Sequence, residues 1–287
     1  MWRAIRILIT LAVAAVAAVL AVRAWQDYTT APWTRDGRVR AYVVTVAPEV
    51  SGRVVALPIS DNQFVHRGDV LFQIDDSDYR LALATARAQL QSAQADEAFR
   101  RGEAERRARL TTLSTSMEQQ QQYASEAAVA AAATAQAVAR VNQAELDLAR
   151  TVVRAPVSGW VTNLALQGGD YAQTGVRALS LVDANSFWVD GYFEETTVAR
   201  LHEGDPATVW LMGDPRPLTG HVAGVAHGIQ VEDATAGPSG LAAVNPVFTW
   251  VRLAQRVPVR VALDHVPDGV RLVAGTTASV SVHPSGH

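Results

Sequence analysis

Ala47-Pro48-Glu49-Val50-Ser51-Gly52-Arg53-Val54 and, about a hundred residues further on, Ala155-Pro156-Val157-Ser158-Gly159-Trp160-Val161 are two copies of one motif. Each copy opens a short β-rich segment. The two segments close alike, on Gly68-Asp69-Val70-Leu71-Phe72-Gln73-Ile74-Asp75 and on Gly175-Val176-Arg177-Ala178-Leu179-Ser180-Leu181-Val182-Asp183. Proline and glycine punctuate strands where the chain must turn. Pro48, Gly52, Gly68, Pro156, Gly159 and Gly175 are therefore expected at the turns of two half-motifs, over 46–75 and 153–183. The roughly 75 residues between them read as helix. The pattern predicts a β-fold cut in two, with a helical pair over 76–152 inserted at the cut.

The period changes at Asp75-Asp76-Ser77-Asp78, where an Asp or Ser cap precedes Tyr79, Leu81 and Leu83. From there to about Leu110 there is no proline, and Gly102 is the only glycine. Ser116 followed by Gln119 has the form of a capping box and predicts a second helix, running to about Val152. Within it Tyr123, Ala127, Ala130, Thr134, Ala137, Val141, Ala144 and Leu148 alternate spacings of four and three, a heptad seam. The first helix answers with Tyr79, Leu83, Ala86, Leu90 and Ala93, and its seam then meets Glu97 and Arg100. Residues 111–115 suffice only for a turn. An antiparallel coiled-coil hairpin follows, with arms of about 35 residues and roughly 50 Å. Its far end carries Arg100, Arg101, Arg106, Arg107 and Arg109 with Glu103 and Glu105 interleaved. These form either a solvated face laced with ion pairs or a tip that binds another protein.

Arg3 and Arg6 precede an uncharged run from Ile7 to Val22, closed by Arg23 and Trp25. Sixteen residues at ~1.5 Å each reach roughly 24 Å, which snorkelling arginines and an interfacial tryptophan can extend across a bilayer. Residues 1–27 are expected to be an uncleaved membrane anchor; a signal peptide cut near Val22-Arg23-Ala24 is the alternative. Residues 28–45 read as a linker and a first barrel strand, with one strand over 39–46. Residues 184–287 read as a small β-barrel, with strands at 186–189, 208–211, 218–226, 248–254, 257–263 and 276–283. A short helix fits Glu194 to Leu201, and 229–246 read as a loop.

The chain has no cysteine and no lysine, all 25 basic residues being arginine. Disulfides, thiol nucleophiles, Schiff bases and lysine-borne cofactors are excluded. A net charge of −3 gives no global field for nucleic acid. Asp75, Asp76 and Asp78 suit the positive end of a helix rather than a metal. The seven histidines are scattered, with His221 and His227 alone at even spacing in one β-region. No catalytic set, cofactor site or metal site is expected.

These features carry a resemblance. A β-motif split by a helical hairpin, behind one anchor and ahead of a barrel, resembles the HlyD-type periplasmic adaptor (membrane fusion) proteins. Ala31-Pro32-Trp33-Thr34-Arg35-Asp36, Gly159-Trp160-Val161-Thr162-Asn163-Leu164, Asn185-Ser186-Phe187 and Trp250-Val251-Arg252-Leu253-Ala254-Gln255-Arg256-Val257-Pro258-Val259 are similar to the AaeA-type adaptors of aromatic carboxylic acid efflux pumps. The resemblance implies an α+β chain: an N-terminal transmembrane helix, a split lipoyl-like (barrel-sandwich hybrid) domain, a coiled-coil α-hairpin and a small β-barrel. It implies a single-pass protein of a Gram-negative inner membrane with its bulk in the periplasm. Its partners would be an inner-membrane aromatic acid exporter-type transporter, an outer-membrane TolC-type channel, and copies of itself in a hexameric ring. A lipoyl carrier needs a lysine between its halves, and there is none. Family members show Arg, Leu and Ser where the hairpin meets the channel. Arg106 and Leu110, or Arg109 and Leu113, take those places here, with Ser116 equally explained as a cap. Adaptors of multidrug, protein or polysaccharide export share the same outline.

Overall fold

The apolar residues of the two half-motifs meet in one core. The computed structural model describes residues 15–19, 32–109, 116–229, 254–267 and 269–284. These fall in two compact units, one within Val43–Asn185, the other within Met1–Tyr42 and Ser186–His287.

In the first unit the strands are β2 (Val43–Val46), β3 (Gly52–Ala56), β4 (Phe64–Val65), β5 (Val70–Ile74), β6 (Val152–Arg154), β7 (Gly159–Thr162), β8 (Tyr171–Ala172) and β9 (Leu179–Asp183). They form two four-stranded sheets, ordered β2-β9-β7-β4 and β6-β5-β3-β8. Each sheet takes two strands from each half, so neither half has a sheet of its own. Val54, Leu71, Phe72, Ile74, Val161, Leu179 and Leu181 are fully buried between them. Strict alternation would send Leu71 and Phe72 to opposite faces. A register shift in the pairing of β5 with β6, between Val70 and Phe72, turns both inward.

The insert is two helices, α1 (Ser77–Ala108) and α2 (Met117–Ala149). Arg87 meets Glu145 and Arg100 meets Glu126, each at 2.8 Å, so the helices run antiparallel. Small side chains let them approach: Leu83, Ala86, Ala130, Ala137 and Val141 are buried, with Leu90, Ala144 and Leu148 packed on them. Where the apolar seam of α1 gives way at Arg100, the contact continues as that ion pair. The Ser116 capping box forms as expected. At the start of α1 the N-cap is Asp76. Asp76 makes no side-chain cap bond; Asp75 instead accepts from the Ser77 amide and hydroxyl at 3.0 and 2.6 Å, which holds its carboxyl below the usual range. The second helix ends at Ala149 rather than near Val152. Buried Thr151 donates to the Leu148 carbonyl at 2.7 Å, and its own carbonyl accepts from Ile74 at 2.8 Å, so the chain is already entering the sheet.

In the second unit β1 (Trp33–Arg40), β10 (Trp188–Glu194), β11 (Pro206–Leu211), β12 (Asp214–Val225), β13 (Arg256–His265) and β14 (Thr277–Val282) close a barrel in the order β1-β10-β13-β12-β11-β14. Val39, Val189, Phe193, Leu218, Val222, Val259, Val261, Val280 and Val282 fill it. A short helix α3 (Glu195–Val198) follows β10. The single strand expected over 39–46 is two strands. β1 pairs with β10 and β14 in the barrel, and β2 pairs with β9 in the sandwich. The Tyr42 amide donates to Ser186 Oγ at 2.8 Å, where a ladder would otherwise continue.

Four expectations lie largely outside the described residues: the anchor, of which 15–19 are helical; the turn at 111–115; the loop at 229–246; and the strand at 248–254. Among the described residues no helix is long and apolar enough to cross a membrane.

Candidate functional site

The repeated motif is a reciprocal clasp. Ser158 Oγ accepts from the Arg67 amide at 2.9 Å, and Ser51 Oγ accepts from the Thr174 amide at 3.0 Å. The Gly68 amide donates to the Ala155 carbonyl at 2.8 Å, and the Gly175 amide donates to the Pro48 carbonyl at 3.0 Å. Gly52 pairs with Ala172 and Gly159 with Val65; Arg53 pairs with Tyr171 and Trp160 with Phe64. The motif of each half thus binds the turn of the other. Pro156 sits in the bend before β7, and Pro48 lies just ahead of the bend at Glu49 and Val50 that leads into β3. Gly68 and Gly175 are turn residues, with φ of 94° and 77°.

Gly52 and Gly159 are not at turns; they are strand residues in β3 and β7. A Cβ on Gly159 would stand 2.0 Å from the Val182 carbonyl oxygen, and one on Gly52 would stand 2.5 Å from the Ile74 side chain. Glycine is present there for close approach, not for backbone freedom.

The hairpin is fixed at its base to this clasp. The Tyr79 hydroxyl donates to the Ser51 carbonyl at 2.7 Å, and burial pushes its pKa up. Arg150 meets Glu49, inside the first motif, at 2.5 Å and Asp147 at 3.6 Å. Tyr79 is the first seam position of α1 and Glu49 lies inside the first motif copy; neither signals a tether in the sequence, because each contact spans a sequence gap.

At the far end, the Arg106 guanidinium meets Glu103 at 2.5 Å and holds that carboxyl below the usual range. Arg109 is the C-cap of α1, its amide bonded to the Arg106 carbonyl. Leu110 and Leu113 lie outside the described residues. Ser116 accepts from the Gln119 amide at 3.2 Å. Its hydroxyl is therefore committed to the helix, and Ser116→Ala should cost about 1 kcal/mol, read as a lower chemical-denaturation midpoint for the helical signal. An unchanged midpoint with loss of partner binding would make Ser116 a contact residue instead.

On the barrel, His221 Nδ1 lies 2.6 Å from Asp264, so its partner is that carboxylate and not His227. The outer faces of β1 and β10 carry a group with no single local pattern in the sequence. Arg40 reaches Asp190 at 3.5 Å and the Tyr192 hydroxyl at 3.4 Å, the latter holding the guanidinium more firmly in its charged form. The Trp188 indole donates to Asp190 at 2.8 Å, and Arg260 lies 4.5 Å from the Trp188 ring centre. Asp36, Arg38, Arg40, Tyr192 and Gly275 line a hollow of about 400 Å³. Among the described residues no group of three or more His, Cys, Asp or Glu is placed to hold a metal ion.

Residues 42–184 match the family model of the barrel-sandwich hybrid domain of RND membrane fusion proteins, and residues 186–283 match that of the AAEA-like β-barrel domain. The chain belongs to the membrane fusion protein family: it is a periplasmic adaptor of efflux systems and not an enzyme. Among its relatives is the uncharacterized protein YdhJ of Escherichia coli strain K12, 45% identical over 273 residues that cover 95% of this chain and 96% of YdhJ. Many solved structures share the fold, among them the following two. The membrane fusion protein Spr0693 from Streptococcus pneumoniae R6 superposes with a TM-score of 0.64 at 16% identity, over 88% of this chain and 99% of that one. MacA from Actinobacillus actinomycetemcomitans gives 0.66 at 18% identity, over 88% and 80%.

Proposed function

We propose that this adaptor joins an inner-membrane transporter of the aromatic acid exporter type to an outer-membrane TolC-type channel, and that its cargo is aromatic carboxylic acids. The observation that carries this reading is the AAEA-like barrel at 186–283 directly behind the hybrid domain. Residues 1–27 anchor the chain once in the inner membrane of a Gram-negative cell, and the rest stands in the periplasm. The half-motif domain packs side by side into a ring of six. The helix pair over 76–152 is a coiled coil whose end, with Arg106, Arg109, Leu110, Leu113 and Ser116, meets the channel. The tether of Tyr79 and Arg150 to the first motif supports a rod held at a set angle to the β-domain.

Deleting the gene should lower tolerance to p-hydroxybenzoic acid and leave tolerance to cationic drugs unchanged. Equal loss for both would remove aromatic acids as the cargo. Photo-crosslinkers at Arg106 and Arg109 should capture the outer-membrane channel. Capture only from barrel positions would sink the tip assignment.

A further inference from the structure

Arg38 is the one cation lining the barrel hollow whose side chain has no partner among the described residues. The nearby carboxylates are engaged elsewhere. Asp36 is held by Arg256, and Asp190 is shared between Arg40 and the Trp188 indole. In the same hollow the Tyr192 hydroxyl accepts from Arg40, so its own proton is free to be donated. The Tyr192 ring forms a flat, half-buried wall. Nothing lies within 4 Å of where a Cβ on Gly275 would stand, which leaves the hollow open.

We propose that this hollow binds the carboxylate of a small organic acid. The Arg38 guanidinium takes the two oxygens through its planar fork, with Arg40 and the Tyr192 hydroxyl completing the set. The volume lies at the lower end of the roughly 300–1,000 Å³ range of small-molecule sites. Charge selects among anions. Among the residues that line the hollow, Arg38 and Arg40 against Asp36 leave one positive charge uncompensated, which suits a monoanion. A second negative charge, as on phosphate, would meet Asp36 at the wall. The Tyr192 ring favours an acid with a flat apolar body, which can stack on it while the carboxylate faces Arg38. The inference deepens the cargo reading above, and rests on it in making the adaptor itself touch what is exported.

The test is calorimetric titration of the full chain in phosphatidylcholine nanodiscs with sodium benzoate. Benzoate should bind, and Arg38→Gln should weaken it at least tenfold without moving the thermal midpoint. Tyr192→Phe should weaken it several-fold. Arg35→Gln should leave it unchanged, because Arg35 sits over Trp33, 5.2 Å from the ring centre, and does not line the hollow. Inorganic phosphate and phosphatidylglycerol vesicles should not displace benzoate. The proposal is overturned by unchanged affinity in Arg38→Gln, by absence of binding, or by displacement with phosphate or vesicles, which would make the face a general anion or lipid-headgroup surface. Binding is measured without the transporter and tolerance in cells. Failure of the site therefore leaves the export reading standing, and failure of export leaves the site standing.

Discussion

Gly159→Ala is expected to destabilise the Val43–Asn185 unit by about 3 kcal/mol, at the upper end of what overpacking costs. The added methyl would lie 2.0 Å from the Val182 carbonyl oxygen, inside any allowed contact. Relief requires β9 to move off β7, but Leu179 and Leu181 of β9 are fully buried, so the strand cannot retreat without opening the core. Gly68→Ala is the comparison. Gly68 sits at φ 94° with nothing within 4 Å of a Cβ, so the change brings only left-handed strain of about 1–2 kcal/mol. The two variants should differ clearly in urea midpoint, with Gly159→Ala the lower. Equal midpoints would mean that β7 and β9 tolerate separation and that the motif glycine is a turn residue after all.

Val141→Asp should separate the helix pair while both β-units stay folded. Val141 is 8% exposed and packs on Leu83 and Ala86, with no cation among these neighbours to meet a carboxylate. Losing the apolar contact and burying an unpaired charge together should cost about 3–5 kcal/mol. The change should appear as a large drop in helical circular dichroism, with amide protection retained in β5 and β9. Val138→Asp, at a position 39% exposed and off the seam, should fall within about 0.5 kcal/mol of the parent. If both substitutions behave alike, the seam does not hold the hairpin. On the tip assignment proposed above, crosslinking from Arg106 and Arg109 to the channel should fail for Val141→Asp alone.

The features legible in the sequence are those whose cause is local. The capping box at Ser116 and Gln119 involves residues three apart, and the α2 seam from Ala130 to Val141 repeats within one helix. The doubled motif was visible as a repeat, but its geometry was not. Gly159 looks like punctuation in sequence, and only β9, some twenty residues away, makes it a close-approach site. The break between β1 and β2 was invisible because residues 41–42 are neither proline nor glycine; the chain changes unit there through Ser186, 144 positions on. Arg38 and Arg40 alternate as any exposed strand would. Their meaning arises only when Tyr192, 152 positions beyond Arg40, is laid beside them.

The reciprocal clasp has a consequence for the order of events during folding. Ser51 needs the Thr174 amide and Ser158 needs the Arg67 amide, so the first half of the sandwich cannot complete itself as it emerges from synthesis. It must wait for the second half, across a gap whose closure as loose chain would carry a large entropic cost. The helix pair shortens that wait. Once α1 and α2 zip together, a fast and local process, Ile74 and Thr151 are brought side by side at the base of the pair. The helix pair is thus, before anything else, the guide that brings two halves of one domain into register.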